Sequence, residues 1–182
     1  MTPIQNETKL SYVFPGQGSQ SVGMGAQLFV ESAAAKEVFQ EADEILNYSL
    51  SDLMFNGPEN ELRDTVNSQP AIMVVSLACW KAWEEFLGAG LKPPQSIAGH
   101  SLGEYTALVV SGVLSFSDGL LLVKERGRLM QEASVERPGG MAAILGLDED
   151  SLEHVCSETG VELANINSDD QMVISGEKIA VA

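Results

Sequence analysis

QSIAGHSLGEYTALVV, residues Gln95 to Val110, sets Ser101 between Gly99 and Gly103, where a short apolar run gives way to a helical one. The five residues Gly99-His100-Ser101-Leu102-Gly103 match Gly-x-Ser-x-Gly. In that pattern small flanking residues let a strand turn sharply into a helix and hold the serine oxygen out at the C-terminal edge of a sheet. The letters alone are a weak signal. Their position, straight after a strand-like run and straight before a helix-like one, is what the elbow requires, so Ser101 is the candidate nucleophile. The same letters SLGE also fit a capping box, with Ser101 as N-cap and Glu104 completing it. A serine at this spot gains the positive end of the following helix and the Leu102 backbone N–H as an oxyanion donor.

Outward from the elbow the periodicity reads strand, helix, strand, helix. Lys9 to Phe14 forms a short strand, closed by Pro15 and the turn-prone GQGSQ. Glu31 to Leu46 and Gln69 to Gly88 read as helices, the second largely buried with a proline near its start. After the break GLKPPQ come a strand, Ser96 to Gly99, and helices from about Leu102 to Val113 and from about Ser117 to Ala133. This is the order of a parallel sheet with helices on both faces. SVERPGG, Ser134 to Gly140, is the one credible boundary. Beyond it run strand MAAILGL, helix DSLEHVCSET, strand VELANIN and strand QMVISG, most of a ferredoxin-like unit. Residues 1–135 are therefore expected to be the first part of a large α/β unit. Residues 136–182 are expected to be a small ferredoxin-like one, incomplete at EKIAVA.

A second oxyanion donor has to come from another loop. PGQGSQ after the first strand is the candidate, because Gly16 and Gly18 permit a backbone that turns its N–H groups into a cleft. The C-terminal ends of parallel strands also share one sheet edge. An ordinary strand-to-helix turn is the alternative.

Composition bounds the rest. With 182 residues, 45% of them hydrophobic, the chain can build a real core. Its net charge of -16, from 26 acidic against 10 basic residues, repels nucleic-acid backbones and anionic membrane surfaces. Neither is expected as a partner. Cys79 and Cys156 lack a metal-like spacing, so buried, reduced thiols are expected, with no zinc site and no disulfide. The N-terminus MTPIQNETKL lacks a leader pattern, and no stretch reaches the ~18 apolar residues of a membrane span. That pattern fits a cytoplasmic protein.

Arg126 stands out on its helix, because its neighbours at three and four residues are Leu122, Val123, Leu129 and Met130. Arg128 has Lys124, Glu125, Gln131 and Glu132 at those offsets, an ordinary solvated face. Arg126 is thus expected on the buried side, where a guanidinium needs an anionic or strongly polar partner. A structural salt bridge would satisfy it; so would a substrate carboxylate held in the guanidinium fork beside Ser101.

Taken together, YVFPGQGSQSVGMG, AGHSLGEYTALVVSGVLSFSDGLLLVKERGRLMQEA and GGMAAILGL resemble the malonyl-CoA:acyl-carrier-protein transacylase family of fatty-acid synthesis, with the spacings kept from about Tyr12 onward. The resemblance implies an α/β-hydrolase-like large subdomain interrupted by a ferredoxin-like small one. It implies that Ser101 attacks the malonyl-CoA thioester and carries malonate as an ester. The Gln17 and Leu102 backbone N–H groups would form the oxyanion hole, Arg126 would grip the free carboxylate, and His100 would support the pocket. The acyl group would pass to the phosphopantetheine thiol of an acyl carrier protein, with malonyl-CoA as substrate and no cofactor.

A serine hydroxyl needs a positioned base. The chain has only His100 and His154. His100 is adjacent to Ser101, and successive side chains at a strand end point to opposite faces. His154 reads as a surface residue of a helix. In the family the resemblance names, the catalytic histidine follows the small subdomain. The expectation is therefore an N-terminal portion of a longer transferase, nearly inactive alone. The competing readings are a serine acyl hydrolase, which has no reason to keep Arg126 on an apolar face, and a non-catalytic copy that only binds a partner.

Overall fold

Strands β1 (Ser11–Phe14) and β2 (Ser96–Gly99) pair in parallel in this computed structural model, from Ser11 opposite Ser96 to Phe14 opposite Gly99. The structure describes residues 10–88 and 93–182. The N-terminal stretch through Lys9, and Gly90 to Lys92 of the expected break, lie outside the described residues. Parallel pairing brings the C-terminal ends of both strands to one edge, so the Pro15–Gln20 loop and the Ser101 turn leave the sheet side by side.

Around the strands lie α1 (Ala26–Glu31), α2 (Ala33–Leu46), α3 (Leu50–Asn56), α4 (Glu59–Arg63), α5 (Thr65–Leu87), α6 (Gly103–Val110) and α7 (Phe116–Glu136). Expected boundaries shift for local reasons. Glu31 closes α1 rather than opening α2, because Ser32 is extended and its Oγ accepts from the Ala35 N–H at 3.0 Å, an N-cap. Helix α5 starts at Thr65, before the expected Gln69: the Asn67 and Ser68 N–H groups both donate to the Asp64 carbonyl, at 2.9 and 2.8 Å. Pro70 accordingly sits in the second turn, where its ring removes the N–H that would bond the Val66 carbonyl. Helix α6 stops at Val110, short of Val113, where Gly112 takes a positive φ of 76°.

The core between these helices is built from Phe39, Leu50, Met54, Leu62, Ile72 and Met73, all buried. Each such side chain contributes about 1.5–3 kcal/mol by leaving water. Phe29, Phe39 and Phe55 add an edge-to-face triangle with centroids 5.2–5.9 Å apart.

The chain divides into two compact units, residues Met1–Gln131 and Glu132–Ala182. The second has its own sheet, β3 (Gly139–Leu145), β4 (Glu162–Ser168) and β5 (Gln171–Glu177), antiparallel in the order β3-β5-β4. Helix α8 (Glu149–Thr159) and the short α9 (Lys178–Val181) complete it. Leu152 and Cys156 of α8 bury against Met172 and Ile174 of β5. This is the strand, helix, strand, strand order of a ferredoxin-like unit. Asp148 caps α8 by accepting from the Ser151 N–H at 2.9 Å, a bond that holds its carboxyl below the ordinary range.

One expectation about the thiols fails. Cys156 is buried, but Cys79 is exposed. It lines an apolar groove of about 650 Å³ along β1, with Tyr12, Phe14, Trp80 and Trp83. The groove walls still desolvate the sulfur enough to push its pKa up. Because the thiolate is the nucleophile, alkylation of Cys79 by iodoacetamide is expected to have a rate-against-pH curve displaced to higher pH than that of a small free thiol. Peptide mass mapping checks the site. Modification of Cys156 first would contradict it.

Candidate active site

Gly99 ends β2 and Gly103 opens α6 directly above it. A Cβ on Gly99 would lie 2.0 Å from the Gly103 carbonyl carbon, and one on Gly103 would lie 2.4 Å from the Phe14 carbonyl oxygen. Only glycine at both positions lets the helix start this close to the two strands. The residue between them takes up the turn: Ser101 has φ 54°, left-handed backbone in a non-glycine residue. That conformation is the strained elbow, and it defeats the capping box. Leu102 rather than Ser101 is the N-cap of α6, with no side-chain cap bond.

Ser101 Oγ instead accepts a hydrogen bond from Arg126 Nη2 at 3.0 Å. Residues 25 apart in sequence therefore meet at the nucleophile. Arg126 differs from expectation in one respect. Of its four apolar neighbours Val123 is fully buried, but Leu122, Leu129 and Met130 are 47, 50 and 44% exposed, so the guanidinium lies on a partly open face rather than in a sealed core. Its partners are neutral. Nη1 donates to Gln69 Oε1 at 2.5 Å, and the Tyr105 ring lies 5.9 Å away. Among the described residues no Asp or Glu forms an ion pair with it, so the salt-bridge alternative drops out. Arg128 behaves as the solvated residue expected, bonded to Glu125, whose carboxyl it holds below the ordinary range.

The Pro15–Gln20 loop packs on the elbow. A Cβ on Gly16 would lie 2.7 Å from both His100 Nδ1 and the His100 carbonyl oxygen. Gln17 follows Gly16 in that loop, and its side chain donates to Thr65 Oγ1 at 3.3 Å. Among the described residues no backbone carbonyl accepts from the Gln17 or Leu102 N–H. Leu102 is fully buried beneath the elbow. His154, in contrast, is an exposed residue of α8 whose Nε2 lies 3.5 Å from Glu158.

Two residues of this site escaped the sequence reading, Gln69 and Tyr105. Gln69 carried a legible signal, an amide inside the apolar run of a buried helix. Among the described residues no group of three or more His, Cys, Asp or Glu could hold a metal ion, and no helix is long and apolar enough to cross a membrane.

A family model described as "Acyl transferase domain" matches residues 11–182, which include every site residue named above. The chain belongs to the acyl transferase domain family. This acyl transferase domain is 47% identical over 178 residues to the malonyl CoA-acyl carrier protein transacylase of Salmonella typhimurium, covering 96% of this chain and 57% of that protein. Among solved structures it is similar to a malonyl-transacylase in complex with a type II PKS acyl-carrier protein, with a TM-score of 0.89 and 46% identity over 96% of this chain and 57% of the other. It is also similar to the acyl-carrier-protein S-malonyltransferase of Burkholderia pseudomallei 1710b, with a TM-score of 0.86 and 45% identity over 94% and 56% of the two chains. The acyl transferase domain thus spans a little over half the length of the relatives it matches. Its fold is the α/β one with a ferredoxin-like small sheet.

Proposed function

We propose that this chain carries the nucleophile, oxyanion donors and carboxylate clamp of a cytoplasmic malonyltransferase of fatty-acid synthesis. Residues 1–135 belong to its large subdomain and 136–182 to its small one. The observation that carries the reading is Arg126 Nη2 at 3.0 Å from Ser101 Oγ, a permanent cation beside a candidate nucleophile with no carboxylate among the described residues to neutralise it. An anion delivered by substrate completes such a site. A plain ester hydrolase gains nothing from it. The malonyltransferase names of the similar proteins support the same choice.

On this reading Ser101 Oγ attacks the thioester carbon of malonyl-CoA while Arg126 holds the distal carboxylate. The carbonyl oxygen becomes an oxyanion facing the Gln17 and Leu102 N–H groups. Collapse expels CoA as a thiolate, which takes up the proton that the Ser101 hydroxyl gave up, and leaves a malonyl ester on Ser101. The phosphopantetheine thiol of an acyl carrier protein then attacks that ester and regenerates the serine. No cofactor enters. His100 supports the loop packed against it, and neither histidine of the chain serves as the general base.

The test is competition for acylation. Malonyl-CoA and acetyl-CoA are offered together and the adducts weighed by intact mass. Arg126→Ala is expected to lower the malonyl-to-acetyl ratio by about tenfold to a hundredfold, the worth of one charge-assisted bidentate pair. An unchanged ratio in a folded variant would sink the carboxylate assignment.

A further inference from the structure

The geometry points to Gln69 as the positioning residue of the arginine, the group that aims Arg126 at Ser101 while leaving its charge free for an anion. The inference rests on the carboxylate reading of Arg126 and adds how that clamp is held. Arg126 has a long, flexible stem on a partly open face, so burial alone does not fix its head. Gln69, on α5, is fully buried and is 57 residues away in sequence. Its Oε1 accepts from Arg126 Nη1 at 2.5 Å, and its Nε2 donates to Met130 Sδ at 3.1 Å. The thioether accepts and cannot donate, so the amide has one sensible orientation: reversed, its N–H₂ would face the guanidinium donors. Met130 thereby sets the amide, the amide sets Nη1, and the rigid guanidinium plane carries Nη2 to the serine.

The reach is short because the two helices approach closely here. A Cβ on Gly127 would lie 2.7 Å from the Thr65 carbonyl oxygen, and the Gln131 side chain accepts from the Val66 N–H at 3.2 Å. A glutamate could hold the arginine in the same place, but it would spend the cation on an internal ion pair. The neutral amide orients without neutralising.

The test observes the guanidinium itself by nitrogen-15 NMR of the chain, with the Arg126 signals assigned from their loss in Arg126→Lys. Two hydrogen-bonded ends should hinder rotation about Nε–Cζ and keep separate Nη signals. Gln69→Leu, nearly the same size, is expected to speed that rotation by about tenfold or more, as loss of a hydrogen bond to a charged group implies. Gln69→Glu is expected to keep the signals separate yet abolish their shift on titration with malonate. Averaged signals in the unaltered chain, or unchanged rotation in a cooperatively folding Gln69→Leu, would overturn the proposal. If Gln69→Leu does not fold, Gln69→Glu decides: separate signals uphold the tether and averaged ones overturn it. Slow rotation combined with no response to malonate in the unaltered chain would uphold the positioning role and sink the carboxylate reading, so the two failures are distinct.

Discussion

Gly99→Ala is expected to abolish the cooperative urea transition of the first compact unit, a loss of more than about 4 kcal/mol out of the roughly 5–15 that a domain has. The added methyl would sit 2.0, 2.1 and 2.3 Å from the Gly103 carbon, the Gly103 oxygen and the Glu104 nitrogen. All three are backbone atoms at the start of α6, so no side chain can rotate away. Relief requires lifting α6 off β2, which undoes the burial of Leu102 and Thr106. Gly112→Ala makes the matching control. Gly112 has a positive φ of 76°, but a methyl added there would meet nothing within 4 Å, so its cost is conformational only, about 1 kcal/mol. Circular dichroism through a urea titration separates them. Equal losses at the two positions would mean that packing at the elbow is looser than these distances say.

The second large effect is chemical. Ser101→Ala is expected to remove all malonyl adduct from the chain after incubation with malonyl-CoA, while the unaltered chain gains a single adduct slowly. Slowness is expected on the proposed reading, in which neither His100 nor His154 serves as the base, since a serine without its triad base loses on the order of 10³-fold or more. On that reading the ester should nevertheless persist, since its hydrolysis needs a base as well. Ser101→Gly sharpens the test. It should be equally inert but more stable, by about 1 kcal/mol, because glycine relieves the φ of 54° that serine holds at the turn. An adduct on either variant would move the nucleophile elsewhere.

The elbow is legible because its chemistry is local: two glycines, a serine, and the change from strand to helix period all lie within Gln95 to Val110. The ferredoxin-like order is legible for the same reason. Helical spacing finds Arg126 but misjudges its surroundings, because spacing says which face a residue shares and not what covers that face. An amide in the apolar run of α5 is visible in the sequence, but the role of Gln69 escapes it, since that role depends on α5 and α7 meeting at Gly127, a contact between helices that no window of sequence contains. An apolar neighbourhood in sequence puts Cys79 inside, whereas the groove beside β1 exposes it.

That groove also governs how the chain can be watched. Trp80 and Trp83 are the only tryptophans in the sequence, and both line it. Intrinsic tryptophan fluorescence is therefore a gauge of the groove. A fragment screen read by tryptophan quenching would rank molecules that settle against β1.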